Sequence, residues 1–268
     1  MTKKPIIVCC ALFSMLVMVE LLLFSGTEKA IIPRQDLSKA KFDESYFGTL
    51  NFANETLPTA DEYVFNRIKK TLDNYGHENL QTYGLHHKAA RWFPIMEPIL
   101  EKYGIPEDFK YVPLVESGLK GGTSPRGASG LWQFMPETAR AFGLKVNGAV
   151  DERHKIEKST IAACKYLRTL HKEFKSWTLA AAAYNIGENK LKRLITQQEQ
   201  ESYFSIRFNP ETAGYVYKLV AMKEIIEHPD IHGYQKINQT DLAINIEDSR
   251  YYPENLFRGL IHTTSQLD

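Results

Sequence analysis

Between residues 59 and 228 apolar positions recur at helical spacing, and the chain reads as a succession of amphipathic helices. Thr59-Ala60-Asp61-Glu62 has capping-box form and predicts a helix with Val64, Phe65, Ile68 and Leu72 on one face, stopping at Gly76. Residues 27–57, polar and without sustained periodicity, read as a linker, and His77 to Lys88 as a connection. Trp92 to Tyr103 reads as helical, with Pro94 and Pro98 bending it or confining it to its ends. Glu107 to Ser117 predicts the next helix, kinked by Pro113, and Lys120 to Ala128 a glycine-rich loop. Pro136 suits the first turn of a helix reaching Phe142, which Gly143 closes. Ser159 to Phe174 carries Ala163, Tyr166, Leu167, Leu170 and Phe174 on one stripe, and Thr178 to Tyr184 is alanine-rich. Asn209 caps a last long helix with Pro210 at its first position and His228-Pro229 at its end. Before residue 235 no strand pattern of comparable strength occurs; Leu242-Ala243-Ile244-Asn245-Ile246 alternates as a short strand would. The expected fold is mainly α, a helical domain with a variable tail and no internal repeat.

The 268 residues, 43% hydrophobic, suffice for one substantial core plus appendages. A net charge of +1 argues against a nucleic-acid partner, for which a basic excess is expected. Walker, dinucleotide and HExxH patterns are missing, and no cofactor is implied. His86 and His87 lack accompanying ligands at a metal spacing and read as surface histidines rather than a metal site. At the N-terminus Lys3 and Lys4 precede an apolar run from Ile6 to Phe24, broken only by Ser14 and Glu20. This reads as an export leader, and at about 20 residues it is long enough to span a bilayer. Ser25-Gly26 is a poor cleavage site, so the reading leans to a retained membrane anchor, with a cleaved signal as the alternative. Beyond the leader only Cys164 remains, so no internal disulfide supports the fold.

One carboxylate stands apart. Glu116 lies in Tyr111-Val112-Pro113-Leu114-Val115-Glu116-Ser117-Gly118. Apolar surroundings favour the neutral acid and raise its pKa, as a general acid near neutral pH requires. Two further blocks follow: Gly127-Ala128-Ser129-Gly130-Leu131-Trp132-Gln133-Phe134-Met135, and Ala183-Tyr184-Asn185-Ile186-Gly187. Gln133 is a polar group amid apolar neighbours and needs a partner. Trp132 offers an aromatic face to a sugar or packs in the core; Phe134 reads as core.

Together these blocks, from about Arg91 to His228, resemble the lytic transglycosylases of the lysozyme-like superfamily, closest to membrane-bound type D. The resemblance implies a goose-type lysozyme-like helical domain over residues 89–228, after a leader (1–26) and a linker with a helical extension (27–88), and before a tail (229–268). It implies cleavage of peptidoglycan glycan strands in the periplasm, with Glu116 as acid and then base while the sugar's own C6 hydroxyl attacks C1. That route needs no second essential carboxylate, and the loop after Glu116 carries no Asp or Glu before Glu137. The resemblance gives Gln133 and Met135 contacts to the glycan and sets the Tyr184 hydroxyl, followed by Asn185, near Glu116. It gives Ser124 a role supporting acid and substrate; the loop is one residue short of the family pattern, which leaves Thr123, or neither of the two, as the alternative. Glu211, in Glu211-Thr212-Ala213-Gly214-Tyr215-Val216, takes the family's last acidic position, although an acid just inside a helix start is also favoured by the helix dipole alone. The alternatives are a hydrolytic muramidase of the same fold and a peptidoglycan-binding scaffold with a vestigial site. Binding alone does not require the acid, which argues against the second.

Overall fold

The computed structural model describes residues 44–75 and 80–232. It is mainly helical, as the periodicity predicts. Helix α1 (Glu44–Thr49) leads into a two-stranded hairpin, β1 (Asn51–Phe52) and β2 (Glu55–Thr56), and then α2 (Glu62–Asn74). Asp61 caps α2 by accepting from the backbone of Tyr63 and Val64. Helix α3 (Leu80–Lys102) is followed by a 3-10 turn (Glu107–Lys110) and α4 (Tyr111–Ser117), which carries Glu116. Then come α5 (Pro136–Ala141), α6 (Ile156–Phe174), α7 (Trp177–Ile186), α8 (Glu188–Gln198), α9 (Pro210–Ala213) and α10 (Tyr215–Glu227).

Four expectations change. The stretch 44–57 is no linker: Phe47, Leu50, Phe52 and Leu57 are all buried in the common core. The hairpin was hidden because its turn is Ala53-Asn54, both at positive φ (53° and 63°), a geometry usually announced by Asn-Gly. Helix α3 begins well before Trp92 and runs through both prolines. Pro94 and Pro98 face solvent, while Ala89, Phe93, Met96 and Leu100 form a buried stripe whose packing outweighs the missing backbone donors. That face also buries His86, whose Nε2 lies 3.1 Å from the Ile225 carbonyl, so this histidine is not on the surface. The last long helix breaks at Gly214 into α9 and α10, and this break turns Tyr215 toward α4. The strand pattern at 242–246 and the apolar run from Ile6 to Phe24 lie outside the described residues.

Helices α6 and α7 pack against each other, and their Ala162, Ala163, Ala180 and Ala183 are buried. Helix α10 is buried along most of its length and packs on α2, α4 and α7. It is the central strut against which the elements of the site are set.

Candidate active site

Glu116 sits in the last turn of α4, which ends at Gly118 in the left-handed conformation (φ 57°). Behind it, Lys88 Nζ donates to the Gly118 carbonyl at 3.0 Å. The Ser117 hydroxyl lies within reach of the Pro113 and Leu131 carbonyls, at 2.9 and 3.0 Å, and ties α4 to the following loop. The Glu116 carboxylate accepts a hydrogen bond from the Tyr215 hydroxyl at 2.7 Å, and the nearby Asn185 side chain favours its anion. Burial raises its pKa above the ordinary carboxylate value. The Tyr215 bond opposes that shift, the Glu211 charge adds to it, and Asn185 and Lys218 oppose it. The acid is therefore biased toward its protonated form while donors stand ready for its anion.

Each of these partners is itself held. Thr212, buried at the α9 start, donates to Asn185 Oδ1 at 2.8 Å, which leaves the Asn185 amide N–H groups for Glu116. The Tyr203 hydroxyl donates to the Thr212 carbonyl at 2.7 Å and accepts from the Val216 N–H at 3.2 Å, fixing the α9–α10 break. Glu211 is exposed in the first turn of α9 and acts on Glu116 through its charge.

The glycine-rich loop is tied to α4 through the Ser117–Leu131 contact. Arg153 anchors it: Nη1 donates to the Gly127 and Phe134 carbonyls at 2.7 and 2.9 Å, while Nε and Nη2 clasp Asp151. Gly130 (φ 80°) must be glycine, because a Cβ there would stand 2.0 Å from the Arg153 carbonyl oxygen. Gln133 is held at φ 48°, an uncommon conformation for a side-chain-bearing residue. Its Nε2 donates to the Gly122 and Gly130 carbonyls at 2.9 and 2.8 Å. Met135 precedes α5 and is 44% exposed, one of few large apolar side chains so presented. Ser124 Oγ accepts the Ala128 N–H at 3.1 Å, closing a small turn. Thr123 is engaged elsewhere, with Ser129 Oγ at 2.7 Å, and Ser129 in turn meets His154 Nε2 at 2.9 Å.

Tyr184 has an architectural contact. Its hydroxyl donates to the Trp132 carbonyl at 2.7 Å, and its ring packs among Trp132, Phe134 and Tyr166. Trp132 itself is fully buried, with Nε1 donating to Thr160. The hydroxyl on Glu116 is that of Tyr215, a residue that sequence reasoning left out although it stands within the quoted Glu211–Val216 block.

A partly buried acid beside a tyrosine and an asparagine, next to a glycine-rich loop on a helical scaffold, defines a class of site suited to acid–base chemistry. Residues 95–206 match the family model described as the Transglycosylase SLT domain. Membrane-bound lytic murein transglycosylase D of Escherichia coli (strain K12) is 32% identical over 158 residues, which is 56% of this chain and 35% of that protein. A putative tributyltin chloride resistance protein of Alteromonas sp. (strain M-1) is 36% identical over 114 residues, 41% of this chain and 55% of that one. The chain thus spans about a third of the first relative's length and about half of the second's. Among solved structures, an inactive mutant of lytic transglycosylase Slt from Pseudomonas aeruginosa aligns with a TM-score of 0.43 and 18% identity, over 68% of this chain and 31% of that one. The matched segment contains Glu116, Ser124, Gln133, Met135, Tyr184 and Asn185; Glu211 and Tyr215 follow it.

Proposed function

We propose that the protein is a peptidoglycan lytic transglycosylase that cleaves the β-1,4 bond between N-acetylmuramic acid and N-acetylglucosamine. The observation that carries this reading is the Glu116 carboxyl, raised in pKa by burial yet hydrogen-bonded by Tyr215, with its anion favoured by Asn185. Neutral Glu116 protonates the glycosidic oxygen as the C1–O bond breaks. The resulting carboxylate is supported by Tyr215 and Asn185 and by the charge of Lys218. It then accepts the proton of the C6 hydroxyl as that oxygen bonds to C1. The products are a free 4-hydroxyl and a 1,6-anhydro ring, and Glu116 is protonated again. Met135, Gln133 and Ser124 line the glycan path in this reading, and Tyr184 holds the loop through Trp132.

A hydrolytic muramidase would need a second carboxylate to activate water or attack C1. Glu211, whose charge acts on Glu116, is the residue that would supply it. In the transglycosylase reading Glu211 holds the glycan and tunes Glu116.

The apolar run Ile6 to Phe24, together with the similarity to a membrane-bound transglycosylase of Escherichia coli, supports retention at a membrane with the catalytic unit in the periplasm. Cell fractionation tests this, and a mature soluble protein beginning near Thr27 would contradict it. For the chemistry, Glu116→Gln is the direct test. It keeps size but cannot deliver or take up the proton, so release of fragments from purified sacculi should fall at least about a hundredfold. Wild-type turnover in the folded variant would remove Glu116 from the mechanism.

A further inference from the structure

Glu55 lies on β2, outside the matched segment, yet its carboxylate reaches the first turn of α7. Oε2 accepts from the Thr178 N–H at 3.0 Å, from the Thr178 hydroxyl at 2.7 Å and from the Ser176 hydroxyl at 2.9 Å; Oε1 accepts from the Trp177 N–H. Ser176 already caps the helix by accepting from the Leu179 N–H at 3.2 Å, so capping alone does not account for the extra carboxylate. The contact joins residues more than 120 positions apart.

The opposite end of α7 carries Asn185. The helix has 10 residues, about 15 Å at 1.5 Å per residue, and Ala180 to Ala183 are fully buried against its neighbours. It ends at Gly187 (φ 92°), where the chain turns away into α8. A rigid rod clamped at its first turn transmits that position to its last. The clamp is rigid as well. The Ala53 N–H, in the hairpin turn, donates to Asp108 Oδ2 at 2.6 Å, and Lys223 Nζ of α10 bridges Asp108 and Asn51 at 2.8 and 3.0 Å.

We infer that Glu55 is a positioning residue for the site, fixing the start of α7 and thereby the aim of Asn185 at Glu116. The inference rests on the reading of Glu116 as the reacting acid. It makes the hairpin part of the catalytic unit rather than an appendage to it.

The test compares Glu55→Gln with Val64→Ala in the full chain. Glutamine keeps the shape but offers an N–H where the helix presents donors. Val64, buried in α2, a helix that carries none of the named site residues, serves as the stability control. Two quantities are read: the pKa of the Glu116 carboxyl by carbon-13 NMR, and kcat and KM on solubilised glycan strands. In Glu55→Gln the support that Asn185 gives the carboxylate weakens, so the Glu116 pKa rises further. The kcat falls about tenfold with KM held within about twofold, as expected for a misaligned group. Val64→Ala moves neither quantity, even where it loses more thermal stability. Direct loss of the Glu55 charge would lower the Glu116 pKa, so an upward shift distinguishes positioning from field. An unmoved or lowered pKa, an unchanged kcat, or the same shifts in Val64→Ala overturns the inference. Were the wild type inactive on glycan strands, the transglycosylase reading would fall and the NMR titration alone would decide the role of Glu55.

Discussion

The balance at Glu116 is set by individual side chains, and each can be moved separately. Tyr215→Phe removes a donor that favours the carboxylate, so the Glu116 pKa should rise. Because the proposed reaction begins from the protonated acid, the basic limb of kcat/KM should move to higher pH, while the maximum rate falls. Glu211→Gln removes a charge that raises that pKa and should move the same limb to lower pH. Opposite displacements in the two pH–rate profiles check the assignment; limbs that stay with the wild type would contradict it. Burial of Glu116 also has a stability sign. A carboxyl whose folded pKa exceeds its unfolded value stabilises the fold below the unfolded value, and that contribution is lost as pH rises through the folded one. Glu116→Gln should therefore melt at or above the wild-type temperature at pH 7, measured by calorimetry, and a clear loss would contradict the burial argument. The sequence made Glu116 legible, because an acid among five apolar residues is chemically odd. Tyr215 was not, because nothing in a Gly-Tyr-Val run shows that the preceding glycine breaks a helix and swings the ring toward α4.

At the level of elements, the glycine-rich loop depends on Arg153 and on the absence of a side chain at Gly130. Gly130→Ala would drive a Cβ into the Arg153 carbonyl in a left-handed conformation. A loss of at least about 2 kcal/mol is expected, read from denaturant unfolding; a variant as stable as the wild type would mean the loop can retreat from Arg153 freely. Most helices were readable from their apolar stripes, and α2 and α6 fall close to where the pattern sets them. Helix α3 was foreshortened in the sequence because proline is a local signal, whereas the stripe that carries the helix past Pro94 and Pro98 is a tertiary one. The hairpin escaped for the converse reason: Ala53-Asn54 holds its turn with help from Asp108, a residue 55 positions away.

For the molecule as a whole, the segment before α2 belongs to the core. Deleting residues 1–57 would remove Phe47, Leu50, Phe52 and Leu57 from their buried sites. Each such side chain contributes about 1.5–3 kcal/mol, a total comparable to the 5–15 kcal/mol typical of a whole domain. The truncated chain should show no cooperative thermal transition by circular dichroism, whereas a chain beginning at residue 44 should keep one; cooperative melting of the shorter chain would contradict the core assignment. Among the described residues no helix is long and apolar enough to cross a membrane. The central claim concerns the product. One acid that serves twice, with the sugar's own hydroxyl as nucleophile, leaves 1,6-anhydro-N-acetylmuramic acid ends. Mass spectrometry of muropeptides released by the purified wild-type chain should therefore find ends lighter by one water than hydrolytic ones. Products carrying only reducing ends would contradict the account and favour a muramidase acting through Glu116 and Glu211.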